Sequence, residues 1–332
     1  MDPYPKNTKE FEAFFKNDED CLRYIFSLRW PDGYECPACH SRRKSWLKSN
    51  GKIKCADCGK SFSVTSGTVF QDSHTPLLIW FRVMWHLCLQ KNGISALSLQ
   101  RSLGLGTYQT SWLCLHKLRK AMVRPGRERL SGTVEVDETY IGGTREGKRG
   151  RGADGKVLVL VAVEDKHCRN AKAGKSAKAI GRIRLARLPD ASGESIAKAI
   201  LENVEPGSTL VTDGWQAYNS LESFGYGHVV HPSAATRRKR EALANPFGED
   251  VAKDYDSPLP ECHLVISLMK RWILGTLQGS LGKDHVQDYL NEFTFRFNRR
   301  SSRNRGMLFW RLAQLSVQHG PDTLAEIISS HI

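Results

Sequence analysis

The sequence has no apolar run able to cross a bilayer: its longest unbroken aliphatic stretch, Val157 to Val163, is far short of the ~20 residues a helical span needs. Met1-Asp2-Pro3 does not read as the start of a signal peptide, so neither a membrane-spanning nor a secreted protein is expected. Acidic residues are also scarce relative to bases. The 332 residues carry 35 Asp+Glu against 49 Lys+Arg, a formal charge of +14, which predicts attraction to a polyanion, nucleic acid first among them. No internal repeat is visible. Nine cysteines are an odd number, and four of them stand in two tight pairs. In an unsecreted chain that pattern favours metal binding over a disulfide framework.

What is present divides the chain into segments. Residues 1–30 suit two short helices, with Phe11, Phe14, Phe15, Leu22, Ile25 and Leu28 at helical spacing around the polar stretch Lys16 to Asp20. Pro31-Asp32-Gly33 ends that pattern, and residues 31–70 hold the paired cysteines. Cys36-Pro37-Ala38-Cys39 and Cys55-Ala56-Asp57-Cys58 match a four-thiolate structural zinc site on a zinc ribbon, a fold too small to hold itself without metal. Four thiolates close the coordination sphere, so this metal is expected to be structural. Arg42, Arg43, Lys44, Lys48, Lys52 and Lys54 suit either a DNA-facing surface or a solvated face.

Residues 75–125 read as helical: a largely buried helix over Pro76 to Leu89, then Ser95 as a cap, Gly104 and Gly106 as a break, and a second run from Tyr108 to Met122. Helix, glycine turn and helix resemble a helix-turn-helix. After Gly132 the period becomes that of strands, over Thr133 to Ile141, Lys156 to Glu164, Ile180 to Leu188 and Thr209 to Asp213. Helices are expected over Ser195 to Asn203 and Trp215 to Leu221. The result is an α/β domain with a mixed sheet. Two polar loops interrupt it, Thr144 to Gly155 and Ser233 to Asp256, the second carrying Arg237-Arg238-Lys239-Arg240. The remainder reads as helices over Glu261 to Gly275 and His285 to Phe297, and two more after Met307.

Val134-Glu135-Val136-Asp137-Glu138 places carboxylates inside a strand pattern, where burial is unfavourable without a partner. Thr212-Asp213-Gly214 ends another strand in an aspartate. Two aspartates in one sheet can converge on a divalent ion, which takes hard oxygen ligands. The bland alternatives are a helix cap for Asp213 and a surface pair for Glu135 and Glu138.

Four blocks in order resemble the DDE-type insertion-sequence transposases of the ISXO type. They are Arg29-Trp30-Pro31-Asp32-Gly33 leading into Cys36-Pro37, Val136 to Gly143, Thr212 to Trp215, and His263 to Arg300 with Lys270-Arg271-Trp272 and Tyr289 to Arg300. The resemblance implies a ribonuclease-H-like catalytic domain, over residues 130–305, preceded by the zinc ribbon and the helical region, with C-terminal helices over 306–332. It implies Asp137 and Asp213 as the first two ligands of a catalytic Mg²⁺ or Mn²⁺. The third position holds His263, seven residues before Lys270. Glu261 is the rival ligand. His263, Ser267 and Lys270 share a helix face, with Leu264, Val265, Leu268 and Trp272 as the expected buried stripe. Lys270 would meet a phosphate near the scissile bond, and Arg296, Arg299, Arg300, Arg303 and Arg305 would neutralise others. The implied activity is cleavage at element ends and joining of the 3′-OH to target DNA by two-metal chemistry. Double-stranded DNA is the implied partner, for a homo-oligomer in the cytoplasm at the nucleoid. The alternative is a catalytically inactive, transposase-derived DNA-binding protein.

Overall fold

The computed structural model describes residues 4–43, 46–48, 50–142, 156–169, 176–232, 258–279 and 281–329. Lys44 and all of the two polar loops expected from the sequence, including Arg237 to Arg240, lie outside these residues. The chain forms two compact units, Met1–Gly126 with Arg299–Ile332, and Arg127–Asn298.

In the first unit, α1 (Thr8–Phe14) and α2 (Asp18–Arg29) are separate helices because each has its own cap: Asn7 accepts from the Glu10 N–H and Asn17 from the Asp20 N–H. A three-stranded antiparallel ribbon follows, β1 (Trp46–Leu47), β2 (Lys52–Lys54) and β3 (Ser61–Ser63). Then comes α3 (Leu77–Leu89), which buries Trp80, Phe81, Met84, Trp85 and Cys88 as its spacing predicts. α4 (Ala96–Leu103) starts at the Ser95 cap and stops at Gly104, which takes the left-handed conformation (φ 63°). Thr107 caps α5 (Tyr108–Ala121).

The second unit is built on a five-stranded sheet of β4 (Thr133–Ile141), β5 (Val157–Arg169), β6 (Ser176–Leu188), β7 (Thr209–Thr212) and β8 (Gly227–Val230). The spatial order is β6-β5-β4-β7-β8: β4, β5 and β6 pair antiparallel, while β7 lies parallel to both β4 and β8. This is the mixed α/β class expected from the sequence. Alternate residues along each strand serve opposite faces. One face packs Val134, Val136, Leu158 and Leu160 against Ile196 and Ile200 of α6 (Gly193–Asn203). The other packs Val159, Val161 and Val163 against α7 (Pro260–Leu277) and α8 (Val286–Phe297).

An open edge strand presents unpaired backbone groups that must be covered. On β6, side-chain amides do this. Asn298 accepts from the Ile183 N–H at 2.8 Å and donates to the Ile183 carbonyl at 3.1 Å, while Gln287 accepts from the Arg187 N–H at 2.9 Å and donates to the Leu185 carbonyl at 3.2 Å.

Three expectations need correction. The helix expected over Trp215 to Leu221 is two 3₁₀ turns, Gln216–Tyr218 and Leu221–Phe224, because Asn219-Ser220 turns the chain before a full helix can propagate. β8 was not foreseen, being four residues that start at a glycine. On α7 the buried stripe is Cys262, Val265, Met269, Trp272 and Ile273, and Leu264 is 48% exposed. One residue is about 100° of helical rotation, enough to carry Leu264 onto the His263 side.

The last unit-one elements are α9 (Gly306–Gln318) and α10 (Leu324–Ser329). Phe309 of α9 sits among Phe11, Phe15, Phe81 and Trp85, with ring centroids 5.6–5.8 Å away. Gly306 permits this packing, since a β-carbon there would lie 1.7 Å from the Pro5 carbonyl oxygen.

Candidate zinc centre and carboxylate site

The two cysteine pairs form matching knuckles. In the first, the His40 N–H bonds the Cys36 carbonyl at 2.9 Å and the Cys36 N–H bonds the Ser41 carbonyl at 2.9 Å. In the second, the Gly59 N–H bonds the Cys55 carbonyl at 3.1 Å and the Cys55 N–H bonds the Lys60 carbonyl at 2.9 Å. Each knuckle turns through a left-handed residue, His40 (φ 57°) or Gly59 (φ 71°). The four sulfurs lie within 4.8 Å of one another, and the Cys36–Cys58 and Cys39–Cys55 pairs are 3.7 Å apart. Tetrahedral Zn–S bonds of about 2.3 Å place sulfurs about 3.8 Å apart, so the cage fits zinc. Burial raises the Cys36 thiol, while the Ala38 and Cys39 N–H groups and the neighbouring Cys39 and Cys55 thiols lower it; the same thiol–thiol contacts raise Cys39, so the crowded sulfurs share protons that a bound cation would displace. Of the bases on the ribbon, Arg42 pairs with Glu35 at 2.8 Å and Arg43 with Asp57 at 2.9 Å, so those two charges are partly answered within the ribbon.

In the second unit the sheet gathers the acidic residues. Asp137 lies on β4 with its side chain 16% exposed. β7 runs parallel beside β4, so Asp213 follows β7 at the same sheet. Asp213 accepts from the Trp215 N–H at 3.0 Å. Gly214 between them has φ 81°, and a β-carbon there would lie 2.4 Å from Val230 Cγ1, so the turn needs glycine on two counts. α7 lies across this face and brings His263 Nε2 to 3.4 Å from Asp137 Oδ2. Burial, with the Asp213 charge added, pushes Asp137 up to about 6, against the opposing pull of the Glu138 N–H and Lys270. Lys270 is lowered by burial and by Lys156, and Asp137 acts in the other direction.

Asp137 and His263 are thus neighbours, and Asp213 is close enough for its charge to act on Asp137. The three donors are not drawn together within 4.8 Å as the thiols are. Two carboxylates repel, and a cation between them would offset that repulsion. Glu261, the rival ligand, is buried and acts on Glu135, whose carboxyl is raised by burial and by Glu261 together. Glu135 and Glu138 are therefore not a surface pair. Glu135 faces α7 and Glu138 accepts a 2.5 Å hydrogen bond from the buried Tyr218 hydroxyl. Neither Tyr218 nor the Glu135–Glu261 contact was foreseen, and alternation within β4 was the signal available, since it puts 135 with 137 and 138 opposite.

The C-terminal arginines are unequal. Arg296 pairs with the fully buried Glu292 at 3.4 Å, and burial followed by Arg311 lowers Arg299 to about 10. No helix among the described residues is long and apolar enough to cross a membrane.

Comparison with known proteins agrees with this arrangement. Residues 16–61 match the transposase zinc-ribbon domain, and the four clustered cysteines within that match support structural zinc. A protein of Halobacterium salinarum, described as an uncharacterised protein in transposable element ISH50, is 27% identical over 307 residues, which cover 85% of this chain and 91% of that relative. Residues 129–298, more than half of the chain, match the ISXO2-like transposase domain. The chain therefore belongs to the ISXO2-like transposase family.

Proposed function

We propose that this protein is a DNA transposase that cuts phosphodiester bonds at insertion-sequence ends and joins the freed 3′-OH to target DNA. The observation that carries the reading is the approach of His263 to Asp137, 3.4 Å apart, in a site where the Asp213 charge adds to the burial of Asp137. Asp137, Asp213 and His263 would hold Mg²⁺ or Mn²⁺. Such ions, when bound, activate water or the 3′-OH and stabilise the leaving oxygen. Imidazole is softer than carboxylate and carries no charge, so Mn²⁺ is expected to be held relatively better than by three carboxylates. Lys270, on which the Asp137 charge acts, would meet a phosphate oxygen beside the scissile bond. No protein nucleophile is required, since water and the 3′-OH are the attacking groups.

The excess positive charge supports double-stranded DNA, element ends and target, as partner. A homo-oligomer acting on paired ends, in the cytoplasm at the nucleoid, completes the reading. The test is strand cleavage and joining on DNA carrying the element ends, with Mg²⁺ or Mn²⁺. Asp137→Ala and Asp213→Ala should each abolish both steps. Turnover that survives either change would refute the site, and end binding without turnover in either metal would identify an inactive DNA-binding descendant.

A further inference from the structure

We propose that Glu135 is a positioning residue that caps α7 from the adjacent strand and so holds His263 against Asp137. The first N–H groups of a helix have no partners within it. α7 begins at Leu259, which has no polar side chain, and no side-chain cap is formed there; Pro260 follows. The missing acceptor comes from β4. The Cys262 N–H donates to Glu135 Oε2 at 3.0 Å, and the Glu261 N–H bonds the same carboxyl group. Cys262 is locked further, its thiol donating to the Val161 carbonyl at 3.5 Å.

The placement links this cap to the metal site. Glu135 and Asp137 are two apart on β4 and share a face, while Cys262 and His263 are consecutive in the first turn of α7. Two cross-links therefore run side by side, Glu135 to Cys262 and Asp137 to His263, and the first sets the geometry of the second. Glu261, the residue that would otherwise compete with His263, is buried and interacts with Glu135, whereas His263 is the α7 side chain found against Asp137. Glu135 itself is 6% exposed and its oxygens are engaged by α7, so it acts through His263 rather than on metal or DNA.

This inference rests on His263 being a metal ligand, and the experiment separates the two. Mn²⁺ titration of the full chain, followed by the electron paramagnetic resonance of free Mn²⁺, reads the site without turnover. Glu135→Ala should weaken Mn²⁺ binding about tenfold or more, as loss of a ligand-orienting partner does. Glu135→Gln, whose amide oxygen can still accept the Cys262 N–H, should bring affinity back to within about threefold of the parent. In a His263→Ala background, Glu135→Ala should add less than about twofold, because the residue through which it acts is gone. Should Glu135→Ala not fold, Glu135→Met, of similar length and without an acceptor oxygen, takes its place. Equal losses in both backgrounds, no loss at all, or a Gln variant as weak as Ala would overturn the capping role. Binding lost in Asp137→Ala but intact in Glu135→Ala sinks this inference alone, whereas binding that survives Asp137→Ala sinks the metal site and the inference with it.

Discussion

The Tyr218 hydroxyl donates a 2.5 Å hydrogen bond to Glu138 Oε2, and this contact ties the turn that follows Asp213 to the strand that carries Asp137. Tyr218 is 1% exposed, so the bond is made away from water, where a charged acceptor strengthens it. The segments that carry the two aspartates are thereby tied together by an interaction that involves neither.

Tyr218→Phe should keep the ring packing and lose the hydroxyl, leaving a carboxylate short of a donor. The expected cost is about 1.5–3 kcal/mol in urea denaturation, the range for a hydrogen bond to a charged group. A change within about 0.5 kcal/mol would mean that solvent reaches Glu138 freely.

Asp137 links stability to pH. Its folded value of about 6 lies above the ordinary carboxyl value near 4, so folding favours its protonated form. Its contribution is therefore complete below the unfolded value and is lost as pH rises through the folded one. In metal-free protein, the stability of the parent relative to Asp137→Asn should fall by on the order of 2 kcal/mol between about pH 4 and pH 7. Denaturation curves at both pH values measure it, and a difference independent of pH would refute the shift.

Asn298→Ala should strip the β6 edge of both hydrogen bonds that the amide makes to Ile183. A loss of about 1–3 kcal/mol is expected, with faster amide exchange at Ile183. Unchanged exchange there would show that water or another group covers the edge equally well.

Cys36→Ser should release the zinc, because a hydroxyl is a poor substitute for thiolate in a closed four-sulfur cage. One zinc per chain in the parent and a large loss in the variant, by metal analysis of the purified proteins, is the expected result. An unchanged zinc content would rule out the thiol cage as its site.

The parts of this fold legible in the sequence are those with local causes. A C-x-x-C knuckle is a few residues of backbone, so the two pairs were readable without knowing what lay between them. Ser95 and Gly104 mark the ends of α4 for the same reason: cap and left-handed stop act within one helical turn. β4 could be bounded at Thr133 and Ile141 because a β-prone run, alternating apolar and polar from Val134 to Asp137, lies there between Gly132 and Gly142. The stretch after Trp215 failed because periodicity cannot distinguish one helical turn of α from 3₁₀, and β8 failed because four residues carry too little pattern.

The site shows the same division. Alternation put Glu135 and Asp137 on one face of β4, while it was the family resemblance, not the spacing, that implied Asp137, Asp213 and His263 as ligands of one ion. Neither could say that Glu261 would interact with Glu135 while His263 lay against Asp137. That depends on the parallel pairing of β7 with β4 and on how α7 docks across the sheet. The amino-acid order alone determined the zinc knuckles and the cap and stop of α4, since each arises from neighbours along the backbone. The meeting of a strand carboxylate with an imidazole from a much later helix was decided only by tertiary packing, because the energy that seats α7 is spread over the buried residues of a whole core rather than stored in any short motif.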